Sequence, residues 1–321
     1  MGEFDLIARY FTRPARRNPL GVGDDCALLQ PARGMQLAVS TDMLVEGRHF
    51  LPTVAPRALG HKALAVNLSD LAACGAQPLA FTLSLALPQV DEAWLAGFAD
   101  GLFALADAHG CELVGGDTTR GPLTINITVF GEVPAGHALL RSGARAGDDL
   151  WVSGTLGDAR LALEAFRGTV SLPQHVFAAA RERMDRPHPR VALGLALRGI
   201  ATSAIDISDG LLADVGHVLQ QSRVGATVDL ACAAGLLGAT RAGFHMEAAQ
   251  LEDLVFAGGD DYELAFTASP QHRGAVEAAA AEAQVAVTRF GRIDAEPGLR
   301  LLDAHGQRVE RRFAGFDHFR A

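Results

Sequence analysis

The chain has 321 residues, 49% of them hydrophobic, which is enough for one large domain or two ordinary ones. Its net charge of -9 disfavours a nucleic-acid partner, because phosphate backbones are bound by excess positive charge. It shows neither a basic and apolar leader nor an apolar run near the ~20 residues that span a bilayer, so we expect a soluble cytoplasmic protein without membrane contact.

The first predicted element is a helix over residues 3–11, in which Phe4, Ile7 and Phe11 share a face. A basic loop follows, and then the run Gly21-Val-Gly-Asp-Asp-Cys-Ala-Leu-Leu29. Its adjacent carboxylates, Asp24 and Asp25, stand behind a glycine hinge and repel each other unless a hard cation neutralises them. A solvated turn would explain the same pair equally simply.

The next two elements each bring a carboxylate. Residues 36–41 are predicted to form a strand with Asp42 at its end, where Ser40, Thr41 and Asp42 could offer oxygen ligands. His49 follows after a Gly-Arg turn, although a lone His is more often structural than catalytic. Residues 56–75 have the start and stop signals of a helix. Asp70 lies inside this apolar helix, three residues from Asn67, and an acid there is costly to bury without a partner.

A strand at 79–87 and a helix at 91–109 lead to the run Cys111-Glu-Leu-Val-Gly-Gly-Asp-Thr-Thr-Arg-Gly121. We expect a short buried strand that ends at Val114, followed by two glycines at which the backbone can approach a ligand. Asp117 is then placed at the end of the strand, a layout that suits a polyphosphate held through a metal ion. A polar turn between two strands is the alternative. After a strand at 123–133, the Gly- and Pro-containing stretch 134–148 is the best candidate for a linker.

The second half restarts with a strand at 149–153, and helices are predicted near 156–167 and 190–199. Asp206 then lies among apolar residues, within or at the end of a buried strand, before a helix that starts near Leu211. Ser208 or Asp209 could cap that helix, a structural explanation that does not account for Asp206. The run Gly258-Gly-Asp-Asp-Tyr-Glu-Leu264 repeats the theme of glycines, acids and a strand.

Seven carboxylates therefore stand at glycine hinges or at the ends of apolar segments, namely Asp24, Asp25, Asp42, Asp70, Asp117, Asp206 and Asp209. If the fold gathers these positions, their mutual repulsion requires cations, and a set of oxygen ligands favours Mg²⁺. Several Mg²⁺ ions, with Arg120 and Arg141 nearby in sequence, indicate a nucleoside triphosphate. The only lysine, Lys62, follows His61 and fits no Walker A loop. We find no Ser-His-Asp or Cys-His arrangement for covalent catalysis.

Six motifs resemble those of the thiamine-monophosphate kinase family, in the family's order and over nearly the whole chain. They are Gly-Val-Gly-Asp-Asp-Cys-Ala-Leu-Leu, Val-Ser-Thr-Asp-Met-Leu-Val-Glu-Gly-Arg-His-Phe, Ala-Val-Asn-Leu-Ser-Asp-Leu-Ala-Ala, Val-Gly-Gly-Asp-Thr-Thr-Arg-Gly, Ala-Ile-Asp-Ile-Ser-Asp-Gly-Leu and Asp-Tyr-Glu-Leu. The resemblance implies ATP-dependent phosphorylation of thiamine monophosphate to thiamine diphosphate, the last step of that cofactor's synthesis. It also implies a mixed α/β fold of two aminoimidazole-ribonucleotide-synthetase-type domains, with N-terminal sheets pairing in a homodimer.

With the boundary in the linker, residues 1–136 would form a dimerisation and ATP/metal-binding domain, and residues 137–321 a domain that completes the active-site cleft. The resemblance implies that several Mg²⁺ ions are bound and that their ligands are Asp25, Ser40, Thr41, Asp42, Asp70, Asp117, Asp206 and Asp209. Asp24 joins them from its position alone. Contacts with ATP would come from Gly116, Asp117, Arg141 and Ser208, and contacts with thiamine monophosphate from His49, Asp260 and Phe316. The family more usually has Glu at position 260 and Trp or Tyr at position 316.

Other answers stay open at this stage. A selenophosphate synthetase should show an N-terminal Cys or selenocysteine beside a Lys, whereas the first Cys here is Cys26 and the first Lys is Lys62. A hydrogenase-maturation enzyme should end in a reactive Cys, and the last Cys here is Cys232. A non-catalytic nucleotide-binding protein with this fold should have lost some of the acids, and this set looks complete.

Overall fold

The computed structural model describes residues 2–316, and the chain divides into two compact units. The N-terminal unit comprises residues 2–71 and 76–136, and the C-terminal unit comprises residues 72–75 and 137–316. None of the helices within residues 2–316 is both long and apolar enough to cross a membrane.

The N-terminal unit is a four-stranded sheet in the order β1-β4-β2-β3, in which only β2 and β3 run parallel. Its strands are β1 (Met35–Val45), β2 (Gln77–Leu87), β3 (Glu112–Arg120) and β4 (Thr124–Pro134). Its helices are α1 (Glu3–Leu6), which continues as a π-helical turn over Ile7–Phe11, α2 (Pro56–Ala73) and α3 (Glu92–His109). One sheet face is buried, through side chains such as Leu83, Ile127 and Val129.

The opposite face of this sheet is exposed along β1, which is an edge strand. Side chains alternate between the two faces of a strand, so Leu37, Val39 and Met43 share one face. They are 43%, 58% and 54% exposed, although all three are large and apolar. This row of three side chains is called the β1 apolar face below.

The C-terminal unit is a seven-stranded mixed sheet in the order β11-β10-β7-β9-β5-β8-β6. Its strands are β5 (Asp149–Ser153), β6 (Ala201–Asp206), β7 (Gly225–Asp229), β8 (Leu264–Ala268), β9 (Val287–Asp294), β10 (Gly298–Leu302) and β11 (Arg308–Val309). Its helices are α4 (Asp158–Phe166), α5 (Gln174–Asp185), α6 (Val191–Ala196), α7 (Leu211–Ser222), α8 (Ala233–Leu236), α9 (Gly238–Arg241), α10 (Ala248–Ala257) and α11 (Arg273–Glu282).

Two strands of the N-terminal unit extend further than the sequence pattern indicated. Asp42 is not at the end of a strand, because β1 pairs with β4 without interruption from Met35 to Val45. Asp117 is likewise inside β3, which pairs in parallel with β2 as far as Arg120. In both cases the neighbouring strand supplies the hydrogen bonds that keep glycines and polar residues extended.

Candidate active site

A pocket of about 600 Å³ lies in the N-terminal unit and collects several of the predicted residues. One side is lined by Gly23, Asp24 and Asp25, and another by the β3 segment 115–118, which includes Gly116 and Asp117. Side chains of the N-terminal helical turns and of β3 add an apolar wall, made by Phe4, Ile7, Phe11, Leu113 and Val114. The pocket therefore combines an apolar wall with carboxylates, as a bound nucleotide with a cation requires.

The loop that carries Asp24 and Asp25 is fixed to the sheet by a carboxylate at the start of β3. Glu112 accepts hydrogen bonds from the backbone N–H groups of Arg16 and Arg17 at 2.7 and 2.9 Å, and from the Asn18 side chain at 2.8 Å. Burial by itself would raise the pKa of Glu112, but these donors together outweigh it and lower that pKa. The anionic form of Glu112 therefore holds the entry to the loop.

The exit of the same loop is held by a second carboxylate, from β4. Glu132 accepts the backbone N–H of Ala32 at 3.0 Å and forms an ion pair with Arg17. Between these anchors, Leu20 and Leu28 form an isolated β-bridge that closes the loop at its base. Asp24 and Asp25 are exposed within this closed loop.

Gly116 occupies a backbone position that only glycine tolerates. Its φ angle is 151°, and a Cβ atom there would lie 1.8 Å from the backbone oxygen of Leu83 in β2. The next residue, Asp117, is exposed and pairs in register with Ser84 of β2. The absence of a side chain at position 116 thus keeps β3 against β2 and leaves the backbone open beside Asp117.

The end of α2 brings Asp70 to β1. The Ser40 hydroxyl donates to the Asp70 carboxylate at 2.5 Å, and the Asn67 side-chain oxygen accepts the backbone N–H of Asp42 at 3.1 Å. Asn67 and Asp70, which share a helix face, thus meet Ser40 and Asp42, which share a strand face. The structure brings these four residues together.

Thr41 faces the other side of β1, because it alternates with Ser40 and Asp42. Its hydroxyl is bonded to the Asn126 side chain and to the backbone oxygen of Ile127, both at 3.0 Å. The structure therefore does not bring the Thr41 hydroxyl together with Ser40 and Asp70. His49 lies just beyond β1, where its Nδ1 accepts the backbone N–H of Val45 at 3.0 Å.

In the C-terminal unit, the N-cap residue of α7 is Gly210, so neither Ser208 nor Asp209 occupies the capping position. Asp214, in the first turn, reaches back instead, and its Oδ2 accepts the backbone N–H groups of Ser208, Asp209 and Gly210 at 3.0, 3.1 and 3.2 Å. Burial, and to a smaller extent the charge of Asp209, raises the pKa of Asp214 to about 7 against the lowering effect of these N–H donors.

The same loop holds two other predicted residues of this unit, Asp260 and Phe316. The backbone N–H of Asp260 donates to the Ser208 oxygen at 2.8 Å, and that of Phe316 donates to the Asp209 oxygen at 3.0 Å. Asp260 has a φ of 61°, an uncommon conformation for a residue with a side chain. Asp206 is 6% exposed at the end of β6, directly before the loop, whereas Phe316 is 50% exposed. Arg141 is exposed.

Sequence reasoning missed the residues that hold these loops. Asp214 had a usable signal, since it is an acid inside an apolar helix, the pattern that identified Asp70. Glu112 had none, because its partners lie 94 to 96 residues away. The apolar wall of the pocket also lies outside what the sequence predicts, because the spacing of Phe4 and Phe11 predicts a shared helix face but not the pocket that this face lines.

Comparisons with known proteins agree on both units. Residues 23–133 match the family model for the N-terminal domain of AIR synthase related proteins, and residues 145–304 match that for the C-terminal domain. This confirms the expected two-domain α/β fold.

Relatives of known identity match along the whole chain. A thiamine-monophosphate kinase of Escherichia coli K12 is 45% identical over 99% of this chain and 98% of its own length. The crystal structure of thiamine-monophosphate kinase from Stenotrophomonas maltophilia K279a superposes with a TM-score of 0.83 at 44% identity, covering 95% of this chain and 96% of that one. The structure of AaThiL complexed with AMPPCP and TMP has a TM-score of 0.76 at 29% identity, covering 90% and 89%.

Proposed function

The chain belongs to the thiamine-monophosphate kinase family, and we propose that it transfers the γ-phosphoryl group of ATP to thiamine monophosphate, forming ADP and thiamine diphosphate. The observation that carries this proposal is the N-terminal pocket, in which an apolar wall, Asp24, Asp25, Gly116 and Asp117 meet. The complex of AaThiL with AMPPCP, an ATP analogue, and TMP supports both substrates.

The pocket suits a nucleotide in two ways. Its wall from Phe4 to Phe11 and from β3 offers an apolar surface to a planar base. Gly116 leaves the β3 backbone free of a side chain next to Asp117, so that a phosphate group can approach closely. We propose that Gly116 and Asp117 contact ATP, together with Ser208 and Arg141 from the C-terminal unit.

Mg²⁺ fits the donors that this chain offers. The proposed ligands are all oxygen donors, namely Asp24, Asp25, Ser40, Asp42, Asp70, Asp117, Asp206 and Asp209. The Thr41 hydroxyl is not proposed as a ligand, because it faces the other side of β1. Within residues 2–316 no group of three or more His, Cys, Asp or Glu side chains is arranged to hold a metal ion. Mg²⁺ that binds with a nucleotide takes one or two carboxylates from the protein and its other ligands from phosphates and water, so a single carboxylate such as that of Asp70, beside the Ser40 hydroxyl, suits it. When bound, Mg²⁺ neutralises the charge of the phosphates.

The acceptor needs positioning more than it needs a base. A phosphate monoester is largely ionised at neutral pH, so no side chain has to remove a proton from it. We propose that His49, Asp260 and Phe316 orient thiamine monophosphate, Phe316 by stacking its half-exposed ring. Asp260 reaches less far than the Glu that is usual in the family, and Phe316 lacks the polar atom of Trp or Tyr.

The chain is also proposed to form a homodimer through the sheet of its N-terminal unit. The support is the β1 apolar face, because solvent-exposed Leu, Val and Met side chains in a row on an edge strand are typical of an interface. We further propose that the protein is cytoplasmic, where its co-substrate ATP is available.

The function is tested by incubating the purified chain with ATP, Mg²⁺ and thiamine monophosphate and separating the products. Thiamine diphosphate and ADP are expected in equal amounts, and EDTA should abolish both. Thiamine offered in place of thiamine monophosphate is the control, since it lacks the ionised phosphate acceptor. ATP hydrolysis without formation of thiamine diphosphate would overturn the proposal.

A further inference from the structure

The loop of residues 207–210 is the point at which several proposed ligands of the C-terminal unit are joined through the backbone. The backbone oxygen of Ser208 accepts a hydrogen bond from the N–H of Asp260, and the backbone oxygen of Asp209 accepts one from the N–H of Phe316. The Ile207 oxygen accepts the N–H of Tyr262 at 2.9 Å. A shift of this short loop would therefore move residues proposed for ATP, for metal and for the acceptor at the same time.

One side chain sets the conformation of that loop. Asp214 is 3% exposed, and a single oxygen of its carboxylate accepts three consecutive N–H groups, those of Ser208, Asp209 and Gly210. Three converging N–H groups ahead of a helix would otherwise form a site for an external anion. Here the buried carboxylate of Asp214 accepts all three N–H groups. They therefore point into the protein, and the loop is held in one conformation.

We propose that Asp214 is a positioning residue of the kinase reaction, which acts by fixing the loop of residues 207–210 and, through it, Asp260 and Phe316. This inference rests on the proposed function for its kinetic consequence, and on the hydrogen bonds alone for its structural one. Asp214 is not proposed to contact either substrate, because it is buried and its carboxylate accepts the N–H groups of the loop.

The same unit contains a matched control, Asp158. It is 5% exposed, lies in the first turn of α4, and accepts the backbone N–H groups of Gly238 and Ala239 at 3.2 and 3.1 Å and the Thr155 hydroxyl at 3.0 Å. Asp158 thus matches Asp214 in burial, charge and helix position, but the segment that it holds carries none of the proposed ligands. Loss of either carboxylate should destabilise the unit to a similar degree.

The experiment compares Asp214→Ala, Asp214→Asn, Asp158→Ala and the unchanged protein. KM for ATP and for thiamine monophosphate and kcat are measured for each, with hydrogen exchange of the backbone followed by mass spectrometry. Asp214→Ala should speed exchange at residues 208–210 and lower kcat/KM for both substrates by on the order of 10- to 100-fold, since small misplacements cost this much. Asp214→Asn should lose less, because its amide oxygen can still accept the N–H groups. Asp158→Ala should speed exchange at 238–239 and keep both KM values within about twofold.

Unchanged exchange at 208–210 in Asp214→Ala would overturn the structural part of the inference without any need for turnover. Faster exchange there with unaltered KM and kcat would overturn the positioning role. Equal kinetic losses in Asp158→Ala would reduce the role of Asp214 to general stability, which contradicts the inference. If Asp214→Ala does not fold, Asp214→Asn is measured in its place and should show a smaller increase in exchange at 208–210 together with a smaller loss of kcat/KM. Faster exchange in Asp214→Asn with unaltered KM and kcat would overturn the positioning role. If the unchanged protein has no kinase activity, the proposed function fails, and hydrogen exchange still reports on the loop.

Discussion

Gly116 shows how one residue can serve both the sheet and the site. Its positive φ and its contact with the Leu83 backbone are imposed by the pairing of β3 with β2. The same lack of a side chain leaves the backbone beside Asp117 accessible from the pocket. Folding and the proposed nucleotide contact therefore require the same residue type at this position.

We predict that Gly116→Ala destabilises the protein by about 2 kcal/mol or more, since it adds a clash to an unfavourable φ. Gly115→Ala is the matched control, because its Cβ would lie 3.9 Å from the Thr82 side chain, an ordinary contact. That change should stay within about 0.5 kcal/mol. Urea unfolding followed by circular dichroism measures both, and equal stabilities would contradict the strain assigned to position 116.

Asp117 is exposed, so its carboxylate should matter to activity and not to folding. Asp117→Asn is expected to lower kcat/KM by on the order of 100-fold or more, because it removes a charge proposed to hold Mg²⁺ and ATP. Asp107→Asn is the control, since Asp107 is an exposed acid of the same unit that pairs with Arg13. Steady-state kinetics decide, and near-normal activity of Asp117→Asn would exclude Asp117 as a metal ligand.

At the scale of elements, both units use the same solution to hold a ligand-bearing loop. A carboxylate on a regular element accepts backbone N–H groups of the loop, Glu112 for the loop with Asp24 and Asp25, and Asp214 for the loop with Ser208 and Asp209. Because a strand or helix is rigid, hydrogen bonds to it restrict the motion of the loop.

The end of α3 provides a pH-dependent contribution to stability. Burial lowers the pKa of His109, and the nearby His61 lowers it further. The unfolded chain therefore binds a proton near pH 6.5, while the folded chain binds it only at lower pH, so the folded state loses stability as pH falls through that window.

We predict that His109→Gln reduces the loss of stability between pH 7.5 and pH 5.5, because Gln cannot take up the proton. Thermal unfolding at the two pH values measures the effect. His175→Gln, at an exposed position in α5, is the control and should leave the pH dependence as it is in the unchanged protein. A His109→Gln variant that loses as much stability as the unchanged protein would show that His109 does not resist protonation.

At the scale of the whole molecule, the proposed homodimer predicts the effect of a charge on the β1 apolar face. Val39→Asp should convert dimer to monomer, because a carboxylate buried in an apolar interface costs several kcal/mol. Val90→Asp is matched to it, since Val90 is 50% exposed against 58% for Val39 and lies between β2 and α3. Sedimentation equilibrium distinguishes the two, and a dimeric Val39→Asp variant would place the interface elsewhere.

Most elements could be predicted from the sequence because their signals are local. The helix over α3 ends at a glycine with φ 60°, and the strand β6 ends at the acid that interrupts its apolar run. The predicted strand ends at Asp42 and before Asp117 are wrong, because pairing with β4 and β2 continues both strands past these residues. Local patterns contain no information about which distant strand completes the hydrogen bonds.

The sequence by itself determined which family this chain belongs to and which carboxylates are candidates for metal, since six ordered motifs are a matter of residue identity and spacing. Only the tertiary structure decided which of these residues meet. It joined Asp70 to Ser40, turned the Thr41 hydroxyl to the other face of β1, and placed Asp214 beneath the loop of Ser208 and Asp209. The physical reason is that a motif specifies side chains, whereas their directions follow from backbone hydrogen bonds between segments far apart in the chain.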